Sequence, residues 1–137
     1  MNLEARMREL LTNFYGSFST GLPTGWENSV AEDVVVIGTD QAEWLQGRER
    51  VVPVLQAQMD EMSRAGMRVE ADDPQIGSAG STVWAADQPT MRLEDETELT
   101  MRLTVVAVEQ DGRLVIKQLH VSVGVPNEEV LNQTLTV

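Results

Sequence analysis

The sequence contains no cysteine and only one histidine, and its aromatic residues are few. The absence of cysteine excludes disulfide scaffolds, thiolate zinc sites, iron–sulfur clusters and cysteine nucleophiles. A single histidine is too few for a multi-histidine metal site. We therefore expect no metal and no cofactor.

Positive charge is also scarce. The chain has 10 Lys and Arg against 22 Asp and Glu, a formal net charge of -12 at pH 7. Because phosphate backbones and anionic lipids attract basic surfaces, nucleic acid and membranes are poor partners for this chain. No apolar run approaches the ~18–20 residues of a membrane helix, and the N-terminal residues lack the pattern of a signal peptide. A cytoplasmic protein is expected.

The remaining composition is that of a folded domain. Apolar residues make up 42% of the 137 positions and charged residues 23%. These fractions are near the average for globular proteins, and the length suits one domain, which we place at residues 1–137.

Hydrophobic spacing predicts helices first and strands afterwards. Apolar residues recur every three or four positions over Leu3–Phe18 and again over Val51–Met62, as on one face of a helix. The β-branched run Val34–Ile37 between them indicates a short buried strand. Later segments alternate as strands do, at 67–76, 81–87 and 98–109. Helices separated from antiparallel strands in this way indicate an α+β domain with helices on one face of a sheet.

The dipeptide Asp111-Gly112 lies between two alternating runs and is typical of a tight hairpin. If these residues form the turn, Gln110 pairs with Arg113, and counting outward sorts the side chains into two faces. One face carries Leu99, Met101, Leu103, Val105, Ala107, Leu114, Ile116, Gln118, His120 and Ser122. This face becomes polar toward one end, as a core that opens into a pocket would. We expect the opposite face to pair with a second copy, although a one-residue bulge in the turn would exchange the two faces.

Two titratable residues are candidates for acid/base chemistry. His120 is on the predicted pocket face, and histidine titrates near neutral pH; the alternative is a structural histidine that bridges sheet and helix. Asp40 is a candidate base, since desolvation by Ile37 and Trp44 would favour its protonated form. The alternative for Asp40 is a capping role, because Glu43 follows at the capping-box spacing.

Aromatic and apolar residues complete the predicted pocket. The three tryptophans either line an aromatic cavity or belong to the core, and Trp84, on a predicted strand, is the best pocket candidate. The predicted lining is Phe14, Phe18, Trp44, Trp84, Leu103, Val105, Gln118 and Ser122.

Several segments resemble a known family. They are Val36-Ile37-Gly38-Thr39-Asp40, Glu43-Trp44, Gly47-Arg48, Val83-Trp84-Ala85 and the ending from His120 to Glu129. Together with the element order, they are similar to SnoaL-like members of the nuclear-transport-factor-2-like superfamily over essentially the whole chain. The resemblance implies a cone, also described as a cystatin-like α+β barrel, in which a curved mixed sheet wraps around the N-terminal helices. It also implies a pocket at the open end and a homodimer through the outer sheet face.

The resemblance identifies no single reaction, because this fold carries isomerases, cyclases, hydrolases, dehydratases and non-catalytic modules. Its steroid-isomerase members imply a carboxylate base where Asp40 lies, with a tyrosine and a protonated aspartate holding the oxyanion. The tyrosine position falls on Phe14, with Tyr15 adjacent. The aspartate position falls near Leu103 or Thr104, and neither is acidic, so the oxyanion pair is missing.

The expected function is the binding of a small, largely apolar organic molecule in the cone pocket, with acid/base chemistry by His120 or Asp40. The alternative is a non-catalytic, dimeric binding or assembly module.

Overall fold

The computed structural model describes all of residues 1–137. Its helices are α1 (Leu3–Thr20), α2 (Arg48–Arg64) and the short α3 (Asn127–Leu131). Its strands are β1 (Val30–Ile37), β2 (Trp44–Gln46), β3 (Arg68–Glu70), β4 (Gln75–Ala79), β5 (Thr82–Asp87), β6 (Thr90–Arg92), β7 (Glu98–Gln110) and β8 (Arg113–Val123). One turn of 3-10 helix, Trp26–Ser29, precedes β1.

The first helix begins and ends where its local sequence predicts. The Asn2 side chain accepts a hydrogen bond from the Ala5 amide at 2.8 Å, which caps the N-terminus. Gly21 ends the helix in the left-handed region at φ 67°, a conformation that glycine adopts without a steric penalty. The buried side of α1 includes Met7 and Leu11 and packs into the core. None of the helices combines the length and apolar character needed to cross a membrane.

The sheet is mixed, curved and unclosed. Its strand order is β2-β1-β8-β7-β5-β4, and β3 and β6 extend it beside β7. Strands β1 and β8 run parallel, whereas the other neighbours are antiparallel. The long strand β7 pairs with β6 at its start and with β5 further along. The inner face of this sheet, together with α1 and α2, forms the core, so the expected α+β cone is confirmed.

The hairpin between β7 and β8 follows the predicted register for only four of its ten residue pairs. Gln110 pairs with Arg113 as expected, and the same count holds as far as Ala107 and Ile116. The next pair joins Val106 to Gln118, so one residue of β8 is skipped. An extra residue of this kind is a β-bulge, which reverses the facing of every side chain beyond it.

The bulge moves the polar end of β8 to the outside of the cone. His120 pairs with Thr104 and is exposed, whereas Leu119 pairs with the fully buried Val105 and is itself buried. The prediction that Gln118, His120 and Ser122 face the pocket is therefore wrong. It assumed unbroken alternation along β8, and the bulge lies within the strand instead of in the turn.

Candidate functional site

An apolar cavity of about 200 Å³ lies between α1, α2 and the inner face of the sheet. Thirteen of its 18 lining residues are hydrophobic. Its walls include Phe14, Phe18, Leu55, Met62, Leu103 and Leu119. Because a concave apolar site with a few polar groups is the usual form of a small-molecule site, this cavity is the candidate functional site.

Aromatic rings form the wall that α1 contributes. Phe14 is buried and meets Phe18 edge-on, with ring centroids 5.2 Å apart and ring planes at 76°. Trp26 packs against the same ring at 6.0 Å and 74°. Edge-to-face packing on two sides fixes the orientation of Phe14 and makes this wall rigid.

One end of the cavity is polar and is formed by Glu43, Gln58 and Thr39. The Glu43 carboxylate is half-buried and accepts two hydrogen bonds, one on each oxygen. Oε1 accepts from the Asp40 amide at 3.1 Å, and Oε2 accepts from Gln58 Nε2 at 3.1 Å. Glu43 is the only acidic residue in the cavity wall, and no basic residue lines it.

Gly38 leaves the space that this carboxylate occupies. A methyl group at position 38 would overlap Glu43 Oε2 and the adjoining carboxyl carbon. The Gly38 amide also donates to the Glu43 carbonyl at 2.8 Å, which closes the turn between β1 and β2. Two hydrogen bonds and a close backbone therefore hold the carboxylate in one position.

A buried tyrosine–aspartate pair borders another part of the cavity. Tyr15, which lines the wall, is 4% exposed, and its hydroxyl donates to Asp87 Oδ2 at 2.9 Å. Asp87 is 6% exposed, and its other oxygen accepts from the Gln88 amide at 2.9 Å. Burial raises the pKa of Tyr15 far above its ordinary value, and the charge of Asp87 and their hydrogen bond raise it further. Tyr15 is therefore a neutral phenol whose proton is held by Asp87.

Sequence reasoning missed this pair, although a signal for it was present. Asp87 follows Val83 and Ala85 at the period of a strand, so it falls on the face that these apolar residues bury. A buried carboxyl group requires a donor, and Tyr15 is on the buried side of α1.

The structure places the predicted lining residues unevenly. Phe14, Phe18 and Leu103 line the cavity. Val105 is fully buried in the core and is not part of the cavity wall.

The predictions that Trp44 and Trp84 line the pocket are wrong, since they are 63% and 43% exposed. Trp84 is on the outer face of the sheet, because it pairs with Val106, which alternates with the buried residues of β7. Trp44 is on the outer face as well, since it alternates with the buried Leu45 of β2. Trp84 lies against Gly77 of the neighbouring strand, where an added methyl group would clash with the indole ring.

Asp40 also lies outside the cavity wall. It is exposed, and its carboxylate accepts a hydrogen bond from the Ala42 amide at 2.8 Å. Glu43 accepts from the Asp40 amide in return. These reciprocal bonds hold the turn between β1 and β2 and cap no helix, since the next element is the strand β2. The cavity is thus bordered by Glu43 and not by the candidate base, Asp40.

Solved structures share this fold at low sequence identity. An NTF2-like protein of unknown function from Pseudomonas putida is 21% identical, with a TM-score of 0.81 and 96% of this chain and 92% of that chain covered. An uncharacterised protein with a cystatin-like fold from Caulobacter vibrioides is 16% identical, with a TM-score of 0.74 and coverage of 93% and 96%. A ketosteroid isomerase candidate from Parabacteroides distasonis is 15% identical, with a TM-score of 0.73 and coverage of 91% and 90%.

No curated protein sequence matches the chain significantly. A family model for the SnoaL-like domain matches residues 7–126, which is most of the chain. The chain therefore belongs to the SnoaL-like domain family.

Proposed function

We propose that the protein binds a small, largely apolar organic molecule in the cavity of the cone. The observation that carries this proposal is the cavity itself, about 200 Å³ of space with an apolar wall and a single polar end. An apolar cavity of about 150 Å³ is known to hold benzene. A molecule with one ring and a few substituents would therefore fit.

The positions of His120 and Asp40 give no support to acid/base roles for them, because neither residue borders the cavity. Glu43 is the acidic group that a bound molecule would meet. Proton transfer, if the protein is an enzyme, is therefore expected to use Glu43.

The binding proposal predicts that p-xylene enters the wild-type cavity and that Met62→Trp excludes it. Met62 is half-buried on α2 and lines the cavity, so a larger ring at this position would fill the space without replacing a fully buried side chain. We expect the affinity for p-xylene, measured by titration calorimetry, to fall at least about tenfold. The introduced indole ring and p-xylene cannot occupy the same volume.

The matched control is Leu131→Trp, which adds the same ring to the exposed helix α3. This variant is expected to bind p-xylene as the wild type does. Circular dichroism should show that both variants fold. Absence of binding to the wild type, or equal binding to the folded Met62→Trp variant, would contradict the proposal.

A second copy of the chain is proposed to pack on the outer face of the sheet. Two adjacent rows of paired residues, called here the outer band, cross this face. They are Gln46, Val35, Gln118, Val106, Trp84 and Gly77 in one row, and Trp44, His120, Thr104, Ala86 and Gln75 in the other.

The outer band contains no Asp, Glu, Lys or Arg, although the chain has a net charge of -12. Two copies of so acidic a chain repel each other, and an uncharged face reduces this repulsion at the contact. Exposed tryptophans such as Trp44 and Trp84 are also enriched at interfaces. Both properties favour a homodimer over other partners at this face.

The dimer proposal predicts that Trp84→Arg converts a dimer into a monomer. Two guanidinium groups at a symmetric contact would repel each other, and the indole contact would be lost. Light scattering at micromolar concentration is expected to give twice the 15.2 kDa chain mass for the wild type and for the control Leu131→Arg. It is expected to give the mass of one chain for Trp84→Arg. A monomeric wild type would be incompatible with the proposal.

A further inference from the structure

We propose that the polar end of the cavity selects molecules whose polar group donates hydrogen bonds, such as an alcohol or a protonated amine, and rejects carboxylates. The inference rests on the proposed function, because it concerns the class of molecule that the same cavity binds.

The free hydrogen-bonding positions at this end are mainly acceptors. An ionised carboxylate only accepts hydrogen bonds and has about four lone-pair positions, whereas Glu43 receives one bond on each oxygen. Gln58 donates one N–H of its side-chain amide to Glu43, which leaves one N–H donor and a carbonyl oxygen with two acceptor positions. Thr39 contributes a hydroxyl group, which both donates and accepts. A molecule that brings a donor therefore finds more partners than one that brings only acceptors.

The charges around the cavity favour the same class. Glu43 is half-buried, and no Lys, Arg or His lines the wall. A bound carboxylate would lose water, find no positive partner and lie near a charge of its own sign. A protonated amine would instead form an ion pair with Glu43 in a site that is only partly screened by solvent.

The acceptor is also fixed before any molecule binds. The Asp40 amide and Gln58 hold the two carboxylate oxygens, and Gly38 closes the space behind them. Glu43 therefore cannot swing away from an incoming anion without losing both hydrogen bonds. Because the acceptor is already fixed, little side-chain entropy is lost when a matching ligand binds.

Four compounds with the same ring and methyl group test the inference: p-xylene, 4-methylbenzyl alcohol, 4-methylbenzylamine and 4-methylbenzoate. We expect calorimetry at neutral pH to show the alcohol and the amine binding about tenfold or more tighter than p-xylene, because they add a hydrogen bond to a charged acceptor. The benzoate is expected to bind more weakly than p-xylene. Comparable affinities for the benzoate and the amine, with p-xylene bound, would overturn this inference alone. Failure of all four compounds to bind would overturn the proposed function as well.

The variant Glu43→Gln tests the residue directly, because glutamine keeps the shape of the side chain and removes its charge. We expect the ratio of amine to benzoate affinity to fall at least about tenfold, while the affinity for p-xylene stays within about twofold. The matched control, Glu49→Gln, removes an exposed carboxylate from the first turn of α2 outside the cavity wall and is expected to leave all four affinities unchanged. An unchanged ratio in Glu43→Gln would overturn the inference.

Should Glu43→Gln fail to fold, Gly38→Ala offers a second route, since its methyl group would displace the same carboxylate. Gly38→Ala is also expected to lower the ratio of amine affinity to benzoate affinity. The four-compound series on the wild-type protein decides the question without any variant.

Discussion

Replacement of Phe14 by alanine is expected to lower the free energy of unfolding by about 3–5 kcal/mol, the range for truncation of a buried phenylalanine. Phe14 is 3% exposed and lies in edge contact with Phe18 and Trp26. Its removal would take away the apolar area of one ring and leave two aromatic neighbours without a partner. Since a domain of this size has a total stability of about 5–15 kcal/mol, the loss would be a large part of it.

The controls separate packing from side-chain chemistry. Phe14→Leu keeps most of the apolar volume and is expected to lose clearly less stability than the alanine variant. Phe18→Ala truncates a half-buried ring of the same wall and is also expected to cost less. Urea denaturation followed by tryptophan fluorescence would measure all three. Equal losses for Phe14→Ala and Phe14→Leu would contradict this expectation, because they would show that the ring contacts account for the whole loss and the retained apolar volume for none of it.

The Phe14→Ala substitution also links the stability of the protein to ligand binding. Phe14 lines the cavity, so the alanine variant would have a larger one. A bulkier ligand, such as 4-tert-butyltoluene, is then expected to stabilise Phe14→Ala more than it stabilises the wild type, because a ligand that binds the folded state alone raises its stability. A thermal melt with and without the ligand would measure the difference. Equal shifts would indicate that the core collapses into the space that the ring leaves.

Tyr15→Phe is expected to destabilise the protein by about 1–3 kcal/mol at neutral pH, because it leaves a buried acceptor without its donor. The hydroxyl of Tyr15 is the only side-chain donor to Asp87, and the Gln88 amide would be the single remaining partner. The double variant Tyr15→Phe with Asp87→Leu removes both polar groups and is expected to recover part of this loss. Chemical denaturation of the two variants gives the comparison. A double variant less stable than Tyr15→Phe would contradict this account.

Alkaline pH should abolish the contribution of Tyr15 to the stability of the folded protein. Its pKa is raised in the folded protein, so the neutral phenol is favoured there, whereas in the unfolded chain it ionises near pH 10. The stabilisation is therefore fully present below about pH 10 and is lost above it, by about 1.4 kcal/mol for each pH unit. The difference in stability between the wild type and Tyr15→Phe is expected to shrink as the pH rises through this range.

Because Tyr15 is the only tyrosine of the chain, the change in tyrosinate absorbance with pH would report on this residue alone. The absorbance is expected to rise together with the loss of the folded circular dichroism signal, since the phenol ionises only after the chain opens. Tyrosinate formation in the folded protein near pH 10 would show that the hydroxyl is accessible to solvent.

The sequence was sufficient for the features that local physics decides. The apolar stripe of α1 and the glycine after it determined the helix, and Asp111-Gly112 determined the hairpin turn. The alternation along β7 correctly placed Leu103 and Val105 on the inner face. Each of these features depends on spacing or turn chemistry within a few residues, and the family resemblance supplied the arrangement of the elements around them.

The wall of the cavity was predictable only in part. Along α1, spacing places Phe14 and Tyr15 together on the buried side, and it does not show that Tyr15 would reach Asp87, 72 residues away. Glu43 was predicted to be the partner of a cap, whereas its position in the cavity wall depends on a hydrogen bond from Gln58 of α2, which lies beside the β1–β2 turn. Contacts between elements distant in sequence leave no periodic signal.

The bulge in β8 was decided by tertiary structure alone. Nothing in the alternation around Lys117 indicates an extra residue, and the bulge occurs where the register between β1 and β8 also shifts, between Val30 and Val35. There Lys117 forms an ion pair with Asp33 of β1 at 2.9 Å. The sequence by itself thus determined the two long helices, the turn of the β7–β8 hairpin and the family. Tertiary structure also decided that Glu43 provides the polar end, because it brings Gln58 of α2 to the β1–β2 turn. Only the pairing of β8 with two different neighbours decided that His120 faces outward, because register between distant strands depends on packing that no local pattern encodes.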